Sequence, residues 1–291
     1  MKVAIMTDSN SGITQSEGQS LGIKVVPMPF MINGEEYFED ISLTQEQFYK
    51  MLEDDSVNVC TSQPSIGYVS SIWDELLKEY DQVVYIPMSS GLSMSCNTAK
   101  TLAEESYPGK VFVVDNHRIS VTQKRSVYDA IELAKKGYDG AKITDILLKN
   151  MNNSSIYIMV ETLKYLCKGG RCSKGVYLMG SLLKIKPILQ IHGEKLDTFK
   201  KTRTIENAKR IMIDQAKEDI EKILTFDGKK DNIYLDVAYT KDDTEAKKFA
   251  EEIKQEFGRD DIIINPLSLS VSCHIGPGAL AIGVTKYTLE D

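Results

Sequence analysis

"YIPMSSGLSMSCNTA", residues 85–99, decides how the first half of the chain is read. An apolar run ends at Pro87, four serines (Ser89, Ser90, Ser93 and Ser95) crowd around Gly91, and an alanine- and leucine-spaced segment follows. The stretch predicts a buried strand over 82–88, a hydroxyl-rich turn, and a helix from about Ser93. The same plan recurs twice: "TDSNSG" follows the β-rich run at 2–7, and "TSQPS" follows another at 57–60. Strands alternating with helices imply a largely parallel sheet with helices on both faces. In such a sheet the carboxyl ends of the strands share one edge, where open α/β folds bind ligands.

Working outward, residues 23–32 form a further β-rich run, and Asn33-Gly34 supplies a hairpin turn before 35–38. Thr44 caps a helix that places Phe48, Met51 and Leu52 on one face. A helix over 66–80 carries Trp73, and a strand over 110–115 leads to a long helix over 119–137, closed by a glycine. After about Asn150 the texture changes. "SIYIMVET" reads as a strand, "GVYLMGSLLKI" as a helix, and "KPILQIHGEKLDTFKKT" as a hairpin turning near His192-Gly193. A helix over 204–224, a strand over 233–239, a helix over 244–257 and strands near Ile262 and Leu267 follow. The expectation is an α/β protein of two domains, a parallel-sheet domain at 1–150 and a mixed α+β domain at 151–291.

Composition narrows the function. With 42% hydrophobic and 26% charged residues among 291, the chain can bury a large core. A net charge of -7 weighs against nucleic-acid or anionic-membrane partners, which need a positive field. No apolar run approaches the roughly 18 residues of a membrane span, and the first residues lack a signal-peptide core, so a cytoplasmic location without membrane insertion is expected. Five cysteines without CxxC spacing fit reduced thiols rather than a disulfide framework or a zinc site. No phosphate-binding loop or dinucleotide fingerprint is present.

Ser, Thr and Asp at strand ends are also ordinary helix caps. Three such loops, one with more hydroxyls than a cap uses, open a binding role for Thr61, Ser62, Ser90, Ser93 and Ser95 beside the capping one, and a single side chain can serve both. Neutral hydroxyls and helix N-terminal amides suit an anionic head group. A rival reading takes "GLSMS" as one residue short of a nucleophile elbow, with Ser93, Asp115 and His274 as a hydrolase triad. That elbow needs small neighbours, and Met94 and Ser95 are poor ones. His274, in "SCHIGPGALAIG", is expected on a constrained loop that fixes its imidazole; His117 and His192 are assigned to the surface.

"TDS" at 7–9, "TSQPS" at 61–65, "SSGLSMS" at 89–95, "GGRCS" at 169–173, "LLKIKPIL" at 182–189 and "HIGPGAL" at 274–280 together resemble the DegV family of bacterial fatty-acid-binding proteins. The resemblance spans nearly the whole chain in order. It implies one long-chain fatty acid held between two lobes, its tail in an apolar tunnel. Thr61, Ser62, Ser93, Ser95 and His274 become its carboxyl contacts, although Met94-Ser95 stands where the family usually has Gly-Thr. It further implies a carrier without cofactor or metal, not an enzyme. A separate ATP-dependent fatty-acid kinase phosphorylates the carboxyl group, and the acyl-phosphate enters phospholipid synthesis. Arg171 and Arg203, in basic segments of an acidic chain, become kinase-docking residues, since arginine suits bidentate contacts. Met28, Met31, Met159 and Met179 offer adaptable apolar surface for the tail.

Overall fold

The computed structural model describes residues 1–54, 56–171, 185–224 and 232–286. The first half runs β1 (Val3–Asp8), α1 (Gln15–Leu21), β2 (Lys24–Val26), β3 (Pro29–Ile32), β4 (Glu35–Phe38), α2 (Gln45–Met51), β5 (Val59–Thr61), α3 (Ile66–Leu76), β6 (Gln82–Ile86), α4 (Ser95–Ser106), β7 (Val111–Val113), α5 (Ser120–Lys135) and α6 (Gly140–Lys149). The second runs β8 (Ser154–Met159), α7 (Lys164–Lys168), β9 (Lys186–His192), β10 (Lys195–Thr202), α8 (Ile205–Leu224), β11 (Ile233–Tyr239), α9 (Thr244–Phe257), β12 (Ile263–Pro266), α10 (Leu269–Ile275) and β13 (Leu280–Lys286).

The alternation in the first half produces a parallel sheet of order β2-β1-β6-β7. One expectation changes here. The run at 23–32 is not one strand, because Pro27 lacks the N–H that a ladder needs. Its first part joins the parallel sheet, while its second part starts a separate three-stranded sheet of order β4-β3-β5. The strand before "TSQPS" therefore pairs antiparallel with β3, with Phe30 opposite Thr61, and does not lie in the parallel sheet. The Asn33-Gly34 hairpin forms with Ile32 opposite Glu35, and Thr44 with Gln47 makes a capping box.

The second half builds a six-stranded mixed sheet of order β10-β9-β8-β13-β11-β12. Its central strands β8, β13 and β11 are buried on both faces, and alternate residues part company. Tyr157 and Met159 join the core beneath α8 and α9, whereas Ile156 and Ile158 join a second cluster with Leu189, Ala238 and Ala281. The helix expected over 175–185 lies, except for its last residue, outside the described residues. Helices α6 and α7, which periodicity did not reveal, flank the junction between the halves.

Helix α5 holds the sheets together. It packs against β1 and β6 on one side and against β8, β11 and β13 on the other, so even its polar residues are buried. Three of them find partners across the gap. The Arg125 guanidinium donates to both oxygens of Asp236 on β11 at 2.9 and 2.7 Å, and Gln123 Nε2 donates to Asp8 Oδ1 at 3.1 Å. Lys124 reaches Glu17 Oε2 at 2.8 Å and Asn265 Oδ1 at 3.1 Å. A buried pair that loses one partner is left with an unpaired charge, so these links fix the helix between the sheets.

Helix α10 makes the reverse crossing. It comes late in the sequence, yet Leu269 and Cys273 pack with Phe30 and Phe48 of the first half. Glu39 accepts from Leu269 N at 2.8 Å, and Tyr49 Oη donates to Ser272 Oγ at 2.9 Å.

Candidate functional site

The four serines of the opening stretch divide their work. Ser89 Oγ accepts from Gly91 N at 3.2 Å and tightens the turn, and Ser90 N donates to Asp115 Oδ1 at 3.1 Å. Ser93 Oγ pairs with Ser95 Oγ at 3.0 Å and accepts from Ser95 N at 3.3 Å, at the start of α4. Ser93 lines a cavity of about 310 Å³; Ser95 is buried behind it and does not.

That cavity lies where the loops after β5 and β6 meet α5, α10 and the inner face of the mixed sheet. Thr61, Ser62, Ser93 and His274 all line it. Opposite them stand Ile156, Ile158, Ile191, Leu196, Ala238 and Ala281. The sheet side is hydrocarbon alone, while the loop side sets these polar groups among Met28, Met88, Leu92 and Ile119, a lining that suits an amphiphile. Its volume lies near the lower end of the roughly 300–1,000 Å³ found for ligand pockets.

The first loop, "TDS", supports this cavity rather than facing it. Thr7 Oγ1 donates to Ile86 O at 2.8 Å, and Ser9 Oγ accepts from Met28 N at 3.0 Å. Asp8 Oδ2 accepts from Met88 N at 2.8 Å, while Oδ1 accepts from Asn10 N at 3.0 Å. Burial pushes the Asp8 carboxyl up to about 6 despite these donors. Met28 and Met88, both fixed by this hub, line the cavity. Met31 and Met159 do not, and Met179 lies outside the described residues.

His274 sits in the last turn of α10, not on a loop as the glycines had implied. Ser268 caps the helix, its side chain accepting from Val271 N, so the alternating serines continue as helix rather than strand. Thr61 Oγ1 and His274 Nε2 are 2.9 Å apart, a link between β5 and α10. Burial, together with the Arg171 guanidinium, lowers the imidazole to about 4, so His274 is neutral at neutral pH. Its Nδ1 has no hydrogen-bond partner and lies against Gly169, where a Cβ would come within 2.1 Å of it.

The hydrolase constellation is not assembled among the described residues. His274 Nε2 engages Thr61 rather than Ser93, and no carboxylate meets Nδ1, the position from which a triad acid orients its histidine. Asp115 accepts from Ser90 instead.

Arg171 and Arg203 separate. Arg171 lines the cavity, with Nη1 donating to Gly169 O at 2.7 Å, so a residue read as facing a partner also borders the polar wall. Arg203 is exposed between β10 and α8 and does not line the cavity. The sequence reading missed Asn10, Gln63, Ser120 and Ser270 on the cavity wall. Only Asn10 and Gln63, inside motifs already singled out, carried a signal. Cys60, Cys96 and Cys273 are free thiols, whereas Cys167 is disulfide-bonded, contrary to the expectation of reduced thiols throughout.

The family model described as "Uncharacterised protein, DegV family" matches residues 2–287. The chain belongs to the DegV family. A DegV domain-containing protein of Staphylococcus aureus strain MRSA252 is 31% identical over 285 residues, covering 98% of this chain and 99% of the relative. Among solved structures, the fatty acid binding DegV family protein of Streptococcus agalactiae superposes with a TM-score of 0.87 at 26% identity, over 99% of this chain and 100% of that one. DegV of Bacillus subtilis, a fatty acid binding protein, does so with a TM-score of 0.86 at 28% identity, over 98% and 99%. The parallel sheet in the first half and the mixed sheet in the second are thus the DegV fold. Among the described residues no helix is long and apolar enough to cross a membrane.

Proposed function

We propose that this DegV protein binds one long-chain fatty acid, with its hydrocarbon against the apolar wall and its carboxyl group at Thr61, Ser62, Ser93 and His274. The observation that carries this reading is the two-sided cavity, in which hydroxyls and a neutral imidazole stand opposite six aliphatic side chains. The solved Bacillus subtilis and Streptococcus agalactiae relatives, both fatty-acid-binding, support it.

The Thr61–His274 hydrogen bond pre-orients two groups, so a carboxylate meets an arranged pair and loses little ordering entropy on docking. Ser95 acts through Ser93, holding its hydroxyl in place. Arg171, exposed beside the cavity, supplies a positive charge that the neutral donors lack. The same arginine, with Arg203, forms the docking surface for a separate ATP-dependent fatty-acid kinase, which phosphorylates the carboxyl group. The protein is then a cytoplasmic carrier without cofactor, metal or nucleic-acid partner, and it feeds phospholipid synthesis.

Purified protein, denatured and extracted with organic solvent, is expected to release about one free fatty acid per chain by mass spectrometry. Extraction of no acid would overturn the reading. Covalent labelling of Ser93 by a fluorophosphonate would favour the hydrolase instead.

A further inference from the structure

Beside the carboxyl site the cavity has a second polar locus that an unsubstituted acyl chain leaves unused. Buried side-chain atoms without a hydrogen-bond partner are rare in native proteins and need an explanation. Among the described residues, those belonging to cavity-lining side chains are His274 Nδ1, Asn10 Nδ2 and Ser120 Oγ. The first is part of the site above. The other two residues are only 2% and 4% exposed.

Asn10 is held in one orientation. The hydroxyls of Ser268, at 3.1 Å, and Ser270 both donate to its Oδ1, which turns the Nδ2 amide towards the Asp8 carboxyl but leaves it without a partner in hydrogen-bonding geometry. Ser270 itself lines the cavity one helical turn before His274, about 6 Å along the helix at 1.5 Å per residue. The short turn Ser9–Ser11 carrying Asn10 packs against α5, whose first residue is Ser120. Ser120 has φ 55°, a left-handed conformation costly for a serine, of the kind that gathers at ligand sites. The N-terminus of this 16-residue helix has no side-chain cap, because Ile119 occupies that position. Its positive dipole end and free amides therefore add to the donors on this part of the wall.

We propose that the cavity recognises an oxygen substituent on the acyl chain, and that the ligand class it favours is a hydroxylated fatty acid. A hydroxyl is the smallest group able to accept from Asn10 Nδ2 while exchanging a hydrogen bond with Ser120 Oγ. A plain methylene at this place leaves both atoms unpaired, and a site built to bond a hydroxyl discriminates against the analogue that lacks it. The inference rests on the fatty-acid reading above and adds a substrate class to it.

The test is competition. The full-length protein is incubated with stearic acid and a series of monohydroxylated stearic acids differing in hydroxyl position, and the retained lipids are quantified by mass spectrometry. At least one positional isomer is expected to exceed stearic acid by about fivefold, the value of one net hydrogen bond. That ratio falls towards one in Ser120→Ala and in Asn10→Leu. Asn10→Leu also strips the acceptor from Ser268 and Ser270 and risks misfolding; Ser120→Ala removes a hydroxyl that bonds nothing and so keeps the test decisive. Retention of stearic acid with no preferred isomer would overturn this inference while leaving the fatty-acid reading intact. A preference that persists in Ser120→Ala would also overturn it, and failure to retain any acid would remove both.

Discussion

The two sheets meet the same cavity in opposite ways. The parallel sheet presents the ends of its strands, where "TDS" and "SSGLSMS" place side chains that bond one another and the backbone. The mixed sheet presents a face, where Ile156 and Ile158 on β8 and Ala281 on β13 offer only hydrocarbon. A strand end leaves loop and helix-terminal groups free to accept or donate; the middle of a paired strand has already spent them on its neighbours. An amphipathic cavity arises here by abutting the loops after β5 and β6 and the end of α10 on the apolar face of the mixed sheet. Helices α5 and α10 hold that junction together.

If the walls act separately, variants on each should fail differently. The largest effect is expected from Ala281→Phe, which intrudes on the apolar wall. Excluding about four methylenes, at ~0.8 kcal/mol each, costs about 3 kcal/mol, or about a hundredfold in affinity for a long chain. A truncated chain should be spared. Isothermal titration with acids of increasing length checks this, and equal losses at every length would break the contrast between the walls. His274→Ala should weaken all lengths alike by about 2 kcal/mol, since it removes a bond to a charged group rather than hydrocarbon contact. Gly169→Ala comes next, at about 1 kcal/mol, because its Cβ would collide with Nδ1, push the imidazole aside and disturb the Thr61 bond. Unchanged titration of Gly169→Ala would mean that the imidazole orientation is unimportant.

The edge was far more legible in the sequence than the face. Short apolar runs ending in Ser, Thr and Gly announce strand, turn and helix, and they led directly to Thr61, Ser62 and Ser93. What they do not announce is pairing. That β5 joins β3 rather than β1 depends on a partner almost thirty residues away, beyond the reach of periodicity. Helix α10 escaped because Leu269–Ile275 alternates serine with apolar residues and so imitates a strand, until Ser268 is seen to cap it. On the face, Met28 and Met159 look alike as apolar residues in β-rich runs, yet one lines the cavity and the other is packed beneath α8 and α9. Alternation along β8 separates Ile156 and Ile158 from Tyr157 and Met159, but only the assembled layers say which face borders the ligand space.

The smallest expected effect is the most specific to the polar edge. His274, lowered from 6.5 to about 4 in the folded protein, stays neutral there while the unfolded chain takes up a proton across that interval. The unfolded state then binds more protons, so this group's contribution to stability falls as pH drops from about 6.5 towards about 4. Asp8 acts oppositely: raised from 3.8 to about 6, it holds its proton better folded than unfolded and adds stability as pH falls through the same range. With Glu39 and Asp129, raised by burial to about 7, acting in the same sense as Asp8, the His274 loss is outweighed and the unliganded protein should gain stability as pH falls from about 7. A fatty carboxylate beside His274 changes only the His274 contribution, because it favours the protonated imidazole and restores part of the lost proton affinity. Stabilisation by bound acid should thus grow by roughly 2 °C as pH falls from neutrality towards the ordinary carboxyl range. Differential scanning fluorimetry of lipid-loaded and lipid-stripped protein reads this directly. In His274→Gln the growth should vanish while Asp8 still titrates. A wild-type curve as flat as that of the variant would place the carboxyl group away from the imidazole, and with it the polar end of the ligand away from the strand-end loops.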